Sequence, residues 1–189
     1  MCGRFTLTYT IQELQSEFKF RNMLAVYQPS YNIPPLSQIP VVLRTNEGKM
    51  IELRRWGLIP NWVKDPEQAK KLSITMKNAR DDTIRDKSTY NYFFTKSRCI
   101  IPASGFYEWH GEEGNKQPYY IRFKENKPMG FAGMTSAWTN PEGVEIQSCA
   151  IITTTPNEIV SPIHDRMPVI LHSASYDNWL DPDLTDKNE

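Results

Sequence analysis

The sequence predicts an α+β protein, built mostly of antiparallel β-strands with a few short helices at the periphery. Three observations lead there. The second half carries apolar runs at Cys99–Ile101, Phe106–Trp109, Tyr119–Phe123, Met129–Met134 and Ile146–Thr153. Turn signals such as Gly111-Glu112-Glu113-Gly114-Asn115 and Asn140-Pro141-Glu142-Gly143 separate them, which is the pattern of a strand meander. Helical periodicity is confined to short stretches, and with 39% hydrophobic and 12% aromatic residues a chain of 189 can bury a sizeable core. No repeat, low-complexity segment or linker divides it, so residues 1–189 are expected to form one domain.

In chain order, Arg4-Phe5-Thr6-Leu7-Thr8 reads as a short strand. Thr10 and Glu13 have capping-box spacing, and Ile11, Leu14 and Phe18 recur at helical intervals, so a helix is expected from Ile11 to Phe20, pinning down the chain start. Tyr31-Asn32-Ile33-Pro34-Pro35 reads as a rigid turn or extended loop, because consecutive prolines fix φ and remove donors. Pro40 to Arg44 and Met50 to Trp56, around Asn46-Glu47-Gly48, form a hairpin. Asp65-Pro66 is a cap followed by a first-turn proline and opens a helix through Lys71. Ser173 to Leu180 forms a last helix with Trp179 and Leu180 on its buried side.

Composition excludes several function classes. No apolar run is long enough to cross a membrane, and Met1 is followed by neither a basic start nor an apolar signal core, so a cytoplasmic protein is expected. Three cysteines, Cys2, Cys99 and Cys149, cannot all pair, and none has zinc-site spacing; a reducing compartment without bound metal or cofactor fits. Net charge is zero, which argues against indiscriminate coating of nucleic acid. Residues 44–98 nevertheless hold 13 Lys and Arg against 7 Asp and Glu, a local excess of +6 that can build a basic surface.

Residues that carry chemistry are spread along the chain. Removal of Met1 would leave Cys2 with a free α-amine beside its thiol. With ordinary pKa values of about 7.7–8.0 and about 8.5, both groups are partly available as nucleophiles near neutral pH. Such a 1,2-aminothiol condenses with an aldehyde to an imine, and the thiol then closes a five-membered thiazolidine. Retention of Met1 would turn the amine into an amide and forbid the ring. Trp56 suits core filling, whereas Trp62 either plugs the core or stacks on a flat ligand. Asn78 and Arg80 lie two apart, on one side if the segment is extended, although Asp81-Asp82-Thr83 fits a helix-initiating turn equally well. Glu108 sits among aromatics, where burial would raise its pKa and suit it to proton transfer; alternatively it lies on the open face of an edge strand. His164 is flanked by Asp165, a carboxylate able to orient it, and by Arg166, and serves either as a catalyst or as a structural hydrogen-bonder.

Taken together, Met-Cys-Gly-Arg-Phe, Trp-Gly-Leu-Ile-Pro-Asn-Trp, Asn-Ala-Arg, Arg-Cys-Ile-Ile-Pro-Ala-Ser-Gly-Phe-Tyr-Glu-Trp and His-Asp-Arg-Met-Pro-Val-Ile-Leu, in that order, closely resemble the SRAP family of SOS response-associated peptidases. The resemblance runs from Cys2 to Leu180. It implies curved antiparallel sheets forming a barrel-like core around a basic channel. The implied activity is recognition of abasic sites in single-stranded DNA and their shielding by a covalent bond to the N-terminal cysteine, carried out by a monomer. By resemblance Cys2 is the nucleophile, Asn78 positions it, Glu108 is the acid/base for sugar ring opening, and His164 assists imine formation. Arg4, Arg80 and Arg166 match DNA-backbone contacts, and Trp62 matches an aromatic that packs against unstacked bases. Ser104 stands where the family usually has Asp, and Asp82 where it has Glu. Members generally continue with another strand-rich segment, so a short member or one lacking a C-terminal segment is expected. Two other activities fit the same residues: a thiol peptidase or amidohydrolase using Cys2 and His164, and a non-covalent single-strand binding module.

Overall fold

The computed structural model of the protein describes residues 3–184. Strand β1 (Arg4–Leu7) leads into helix α1 (Ile11–Phe18), then β2 (Ser30–Ile33), β3 (Gln38–Thr45), β4 (Gly48–Trp56) and α2 (Pro66–Thr75). The middle of the chain adds β5 (Asn78–Arg80), α3 (Ser88–Lys96), β6 (Arg98–Ala103) and β7 (Gly105–His110). The remainder comprises β8 (Gln117–Ile121), β9 (Met129–Thr139), β10 (Glu145–Thr154), β11 (Met167–Pro168), β12 (Ile170–Leu171) and α4 (Tyr176–Leu180).

Five of these strands close on themselves. β10, β4, β3, β6 and β9 are hydrogen-bonded in that order, and β9 pairs back onto β10 from Glu145↔Thr139 to Ile151↔Gly133, which leaves the ring without an edge. The β4–β10 seam is parallel and the other four are antiparallel. A second sheet, in the order β2-β1-β7-β8, packs its apolar side on the barrel. Phe5 meets Trp56 edge-on at 5.2 Å and Phe131 at 6.1 Å, and Phe106 meets Phe131 at 6.0 Å; all four rings are fully buried. Each such side chain contributes on the order of 1.5–3 kcal/mol by leaving water. Strand β1 is therefore held by Phe5 and by strand partners on both of its sides.

The hairpin, the capping box of Thr10 and Glu13, and the Asp65 cap followed by Pro66 form as their residues predict. Four expectations need correction. The first helix stops at Phe18, because Lys19 turns into the left-handed region at φ 58° and caps it. The second helix runs on to Thr75, where the Thr75 hydroxyl donates back to Lys71 O at 3.2 Å. Residues 30–33, expected as loop, make a strand on β1 that ends where Pro34 would remove the next donor. The last helix is split, with a 3₁₀ turn at Ser173–Ser175 before α4. Gly57 has the backbone freedom the fold requires at one sharp exit: at φ 147° it turns the chain out of β4, and a Cβ there would lie 2.2 Å from Ser73 O in α2.

Candidate functional site

Glu108 owes its environment to strand order. β7 is flanked by β1 and β8, so it is not an edge, and alternation turns Phe106 and Glu108 inward while Tyr107 and Trp109 face the other way. Glu108 is 1% exposed. Arg4 lies opposite Tyr107, the neighbour of Glu108 on β7. Cys2 immediately precedes Gly3 and lies outside the described residues.

The imidazole comes from the connection between β10 and β11. There Asn157 accepts from the backbone N–H groups of Ile159 and Val160, building a tight turn that delivers His164 beneath the four-stranded sheet. His164 Nε2 stands 3.8 Å from Glu108 Oε2, and its Nδ1 lies 2.8 Å from Asp165 Oδ1 and 3.0 Å from the Arg166 backbone nitrogen. Burial pushes the Glu108 carboxyl up to about 7, and the nearby Asp165 charge acts in the same direction. Burial also pushes the His164 imidazole below its ordinary value. Burial therefore favours the uncharged form of each group, a protonated carboxyl and a neutral imidazole. A protonated carboxyl at pH 7 can act as a general acid.

A second cluster forms where β5 pairs in parallel with the end of β10. Asn78 lies opposite Ile151 and is 8% exposed, while Arg80 lies opposite Thr153 and faces solvent. The extended alternative for this segment is the one realised. Asp82 grips the Arg80 guanidinium at two points, 2.7 and 3.1 Å, so the shorter carboxylate still supports that arginine. Arg166 is 3% exposed; it reaches Asp81 Oδ1 at 2.7 Å, Asp82 Oδ2 at 3.5 Å and the Thr153 carbonyl. It is turned inward, fastening the histidine loop to the turn that carries Arg80. Ser104 accepts from Thr8 N at 2.8 Å and bonds its hydroxyl at 3.0 Å, tying β1 to the β6–β7 turn.

Trp62 is 54% exposed and lines a cleft of about 510 Å³ with Asn61, Ser88, Thr89, Tyr92 and Phe93. Sequence reasoning missed Tyr92, since α3 was not foreseen. It also missed the aromatic face beside Arg4, where Tyr107 lies 5.0 Å from Tyr120 and 6.3 Å from Trp109. The alternation that buries Glu108 is the signal that would have found that face. The +6 segment is less of a surface than its count suggests. Arg54 turns in to Gln147 and Glu52, and Arg98 is spent on the carbonyls of Phe94, Trp179, Asp181 and Leu184. Among the described residues no group of three or more His, Cys, Asp or Glu side chains is placed to hold a metal, and no helix is long and apolar enough to cross a membrane.

The frame of the candidate site is a closed five-stranded barrel braced by a four-stranded sheet, with the buried Glu108 carboxyl 3.8 Å from the partly buried His164 imidazole. Residues 1–189 match the family model described as SOS response associated peptidase (SRAP), and the chain belongs to that family. It is 40% identical over 189 residues to the abasic site processing protein YoqW of Bacillus subtilis, covering 98% of this chain and 83% of the relative. It is 31% identical to the abasic site processing protein HMCES of Xenopus tropicalis, over 96% of this chain and 66% of that one. A crystal structure of a protein from Bacteroides thetaiotaomicron superimposes with a TM-score of 0.90 at 28% identity, covering 97% of this chain and 82% of its own.

Proposed function

We propose that this protein processes abasic sites in single-stranded DNA by attaching itself to them through Cys2 after Met1 is removed. An abasic sugar rests mostly as a closed hemiacetal, so its aldehyde must be released first. Protonated Glu108 gives its proton to the ring oxygen as the ring opens, and the resulting carboxylate takes a proton back during the later steps. The Cys2 amine adds to the aldehyde carbon, water leaves to give the imine, and the thiol adds to the imine carbon and closes the thiazolidine. One molecule of water is released overall. Neutral His164 accepts a proton from the attacking amine and returns it to the departing water. Asn78 holds the chain start against the sugar, Arg4 and Arg80 grip phosphates, and Trp62 receives an unstacked base. Arg166 serves by fixing the Arg80 turn and the histidine loop to one another.

The observation that carries this reading is the buried Glu108 carboxyl, raised by desolvation to about 7, with the His164 imidazole 3.8 Å away and β1 paired beside it. Abasic-site processing is also what the Bacillus subtilis and Xenopus tropicalis relatives are named for. The test is a denaturing gel. A single-stranded oligonucleotide with one abasic site should shift to a protein-bound band that survives denaturation, and Cys2→Ser should abolish the unreduced band. A shift of equal yield on an intact oligonucleotide, or with Cys2→Ser, would refute the proposal.

A further inference from the structure

Two large aromatic side chains share the walls of one cleft, and neither fills the core. Trp62 comes from the loop after β4 and Tyr92 from α3, and they leave 54% and 55% of their surface in water. A single exposed aromatic is ordinary, but two in one concave site mark a binding surface. Their backbones are fixed. Val63 is buried, its N–H donates to Pro60 O at 3.2 Å, and its carbonyl accepts from Trp138 Nε1 at 2.6 Å, so the turn holds the neighbouring Trp62 outside the core. On the other wall the buried Phe93 anchors α3 and meets the Tyr92 ring edge-on at 5.3 Å. The turn that follows Arg80 leads directly into α3, so the cleft continues from that arginine.

We propose that Tyr92 is the second wall of a base slot, which holds one nucleobase next to the abasic sugar between the Tyr92 and Trp62 rings. This deepens, and rests on, the single-stranded abasic substrate proposed above. A base beside an abasic residue has already lost one stacking partner, so turning it out of line costs less than breaking a continuous stack. A slot with two aromatic walls replaces the stack on both faces of that base. At about 510 Å³ the cleft is within the range of roughly 300–1,000 Å³ typical of small-ligand sites. Purines offer the larger face and are favoured through stacking strength. The Asn61 amide and the hydroxyls of Ser88 and Thr89 line the same cleft and can both donate to and accept from a base edge. Lys64 and Lys87 stand exposed in the chain beside the two walls, where the phosphates of the held nucleotide would pass.

Fluorescence anisotropy tests the slot without any crosslink, using a labelled single strand that carries a tetrahydrofuran in place of the abasic sugar. With adenine on both sides of the lesion, Tyr92→Ala should weaken binding about tenfold, and Tyr92→Phe should bind like wild type. Wild type should prefer adenine to thymine neighbours by about threefold, a preference Tyr92→Ala should lose. Each neighbouring base is then replaced in turn by a further tetrahydrofuran. At one of the two positions this should weaken the wild type and leave Tyr92→Ala no worse. Equal affinity of wild type and Tyr92→Ala, or an equal loss on strands without neighbouring bases, overturns the proposal. If the slot behaves in this way but wild-type protein forms no crosslink on a true abasic strand, the slot stands and the Cys2 chemistry falls.

Discussion

Two regions of the molecule bury ionisable groups, and they do opposite things with them. Inside the barrel, Cys99 and Cys149 are fully buried; burial drives the Cys99 thiol up to about 12 and the Cys149 thiol well above its ordinary value. Neither can form a thiolate near neutral pH, and both behave as small apolar side chains. In the four-stranded sheet Glu108 is equally removed from water, yet burial leaves it at about 7, with a neutral imidazole 3.8 Å away. Desolvation alone makes a group inert. Desolvation that stops near the working pH leaves the group able to change its protonation there.

The strongest way to break this contrast is to remove the acid. Glu108→Gln should slow crosslink formation by at least about 10²-fold, the usual range for loss of a general acid, with little change in DNA affinity. His164→Ala should also slow it, and equal rates in all three proteins would erase the distinction between the two regions.

A stability measurement sharpens it next. The folded carboxyl holds its proton up to about pH 7, while an unfolded one releases it near the ordinary 4.5, so between those values the native state binds more protons. Stability therefore falls as pH rises through that window. Glu108→Gln should remove the slope and, at pH 8, gain roughly 2–3 kcal/mol by thermal or urea unfolding. A stability difference between wild type and Glu108→Gln that does not grow as pH rises from 5 to 7.5 would contradict the assignment.

A third change acts on binding rather than chemistry. Arg80→Glu leaves Asp82 facing a like charge and removes one phosphate contact, so affinity for single-stranded DNA should drop about tenfold and the salt slope should fall by about 1. Unchanged affinity at low salt would take Arg80 out of the interface. The smallest effect belongs to the barrel: Cys99→Ser and Cys149→Ser should leave the crosslinking rate as it is. They should cost only about 1–3 kcal/mol of stability for a hydroxyl placed in an apolar site.

Much of this was legible in the sequence, for local reasons. The Thr10 and Asp65 caps and the hairpin around Asn46-Glu47 are decided by neighbours in the chain. What escaped depends on partners distant in sequence. The burial of Glu108 follows from β1 and β8 lying on either side of β7, which the pentapeptide around it cannot reveal. Likewise the contacts of Arg166 with Asp81 and the Thr153 carbonyl join residues that are far apart in the sequence. Residues 30–33 became a strand because β1 was there to pair with, against the local vote of two prolines.

The central claim is that both reactive atoms of Cys2, nitrogen and sulfur, enter the bond to DNA, and intact mass spectrometry tests it most directly. Protein with Met1 removed, mixed with an abasic single-stranded oligonucleotide, should give one species whose mass is protein plus oligonucleotide less one water, stable without reduction. Protein with Met1 or an added residue ahead of Cys2 should give none. A stable adduct on protein that demonstrably retains Met1 would contradict the account, leaving the thiol alone as the attacking group.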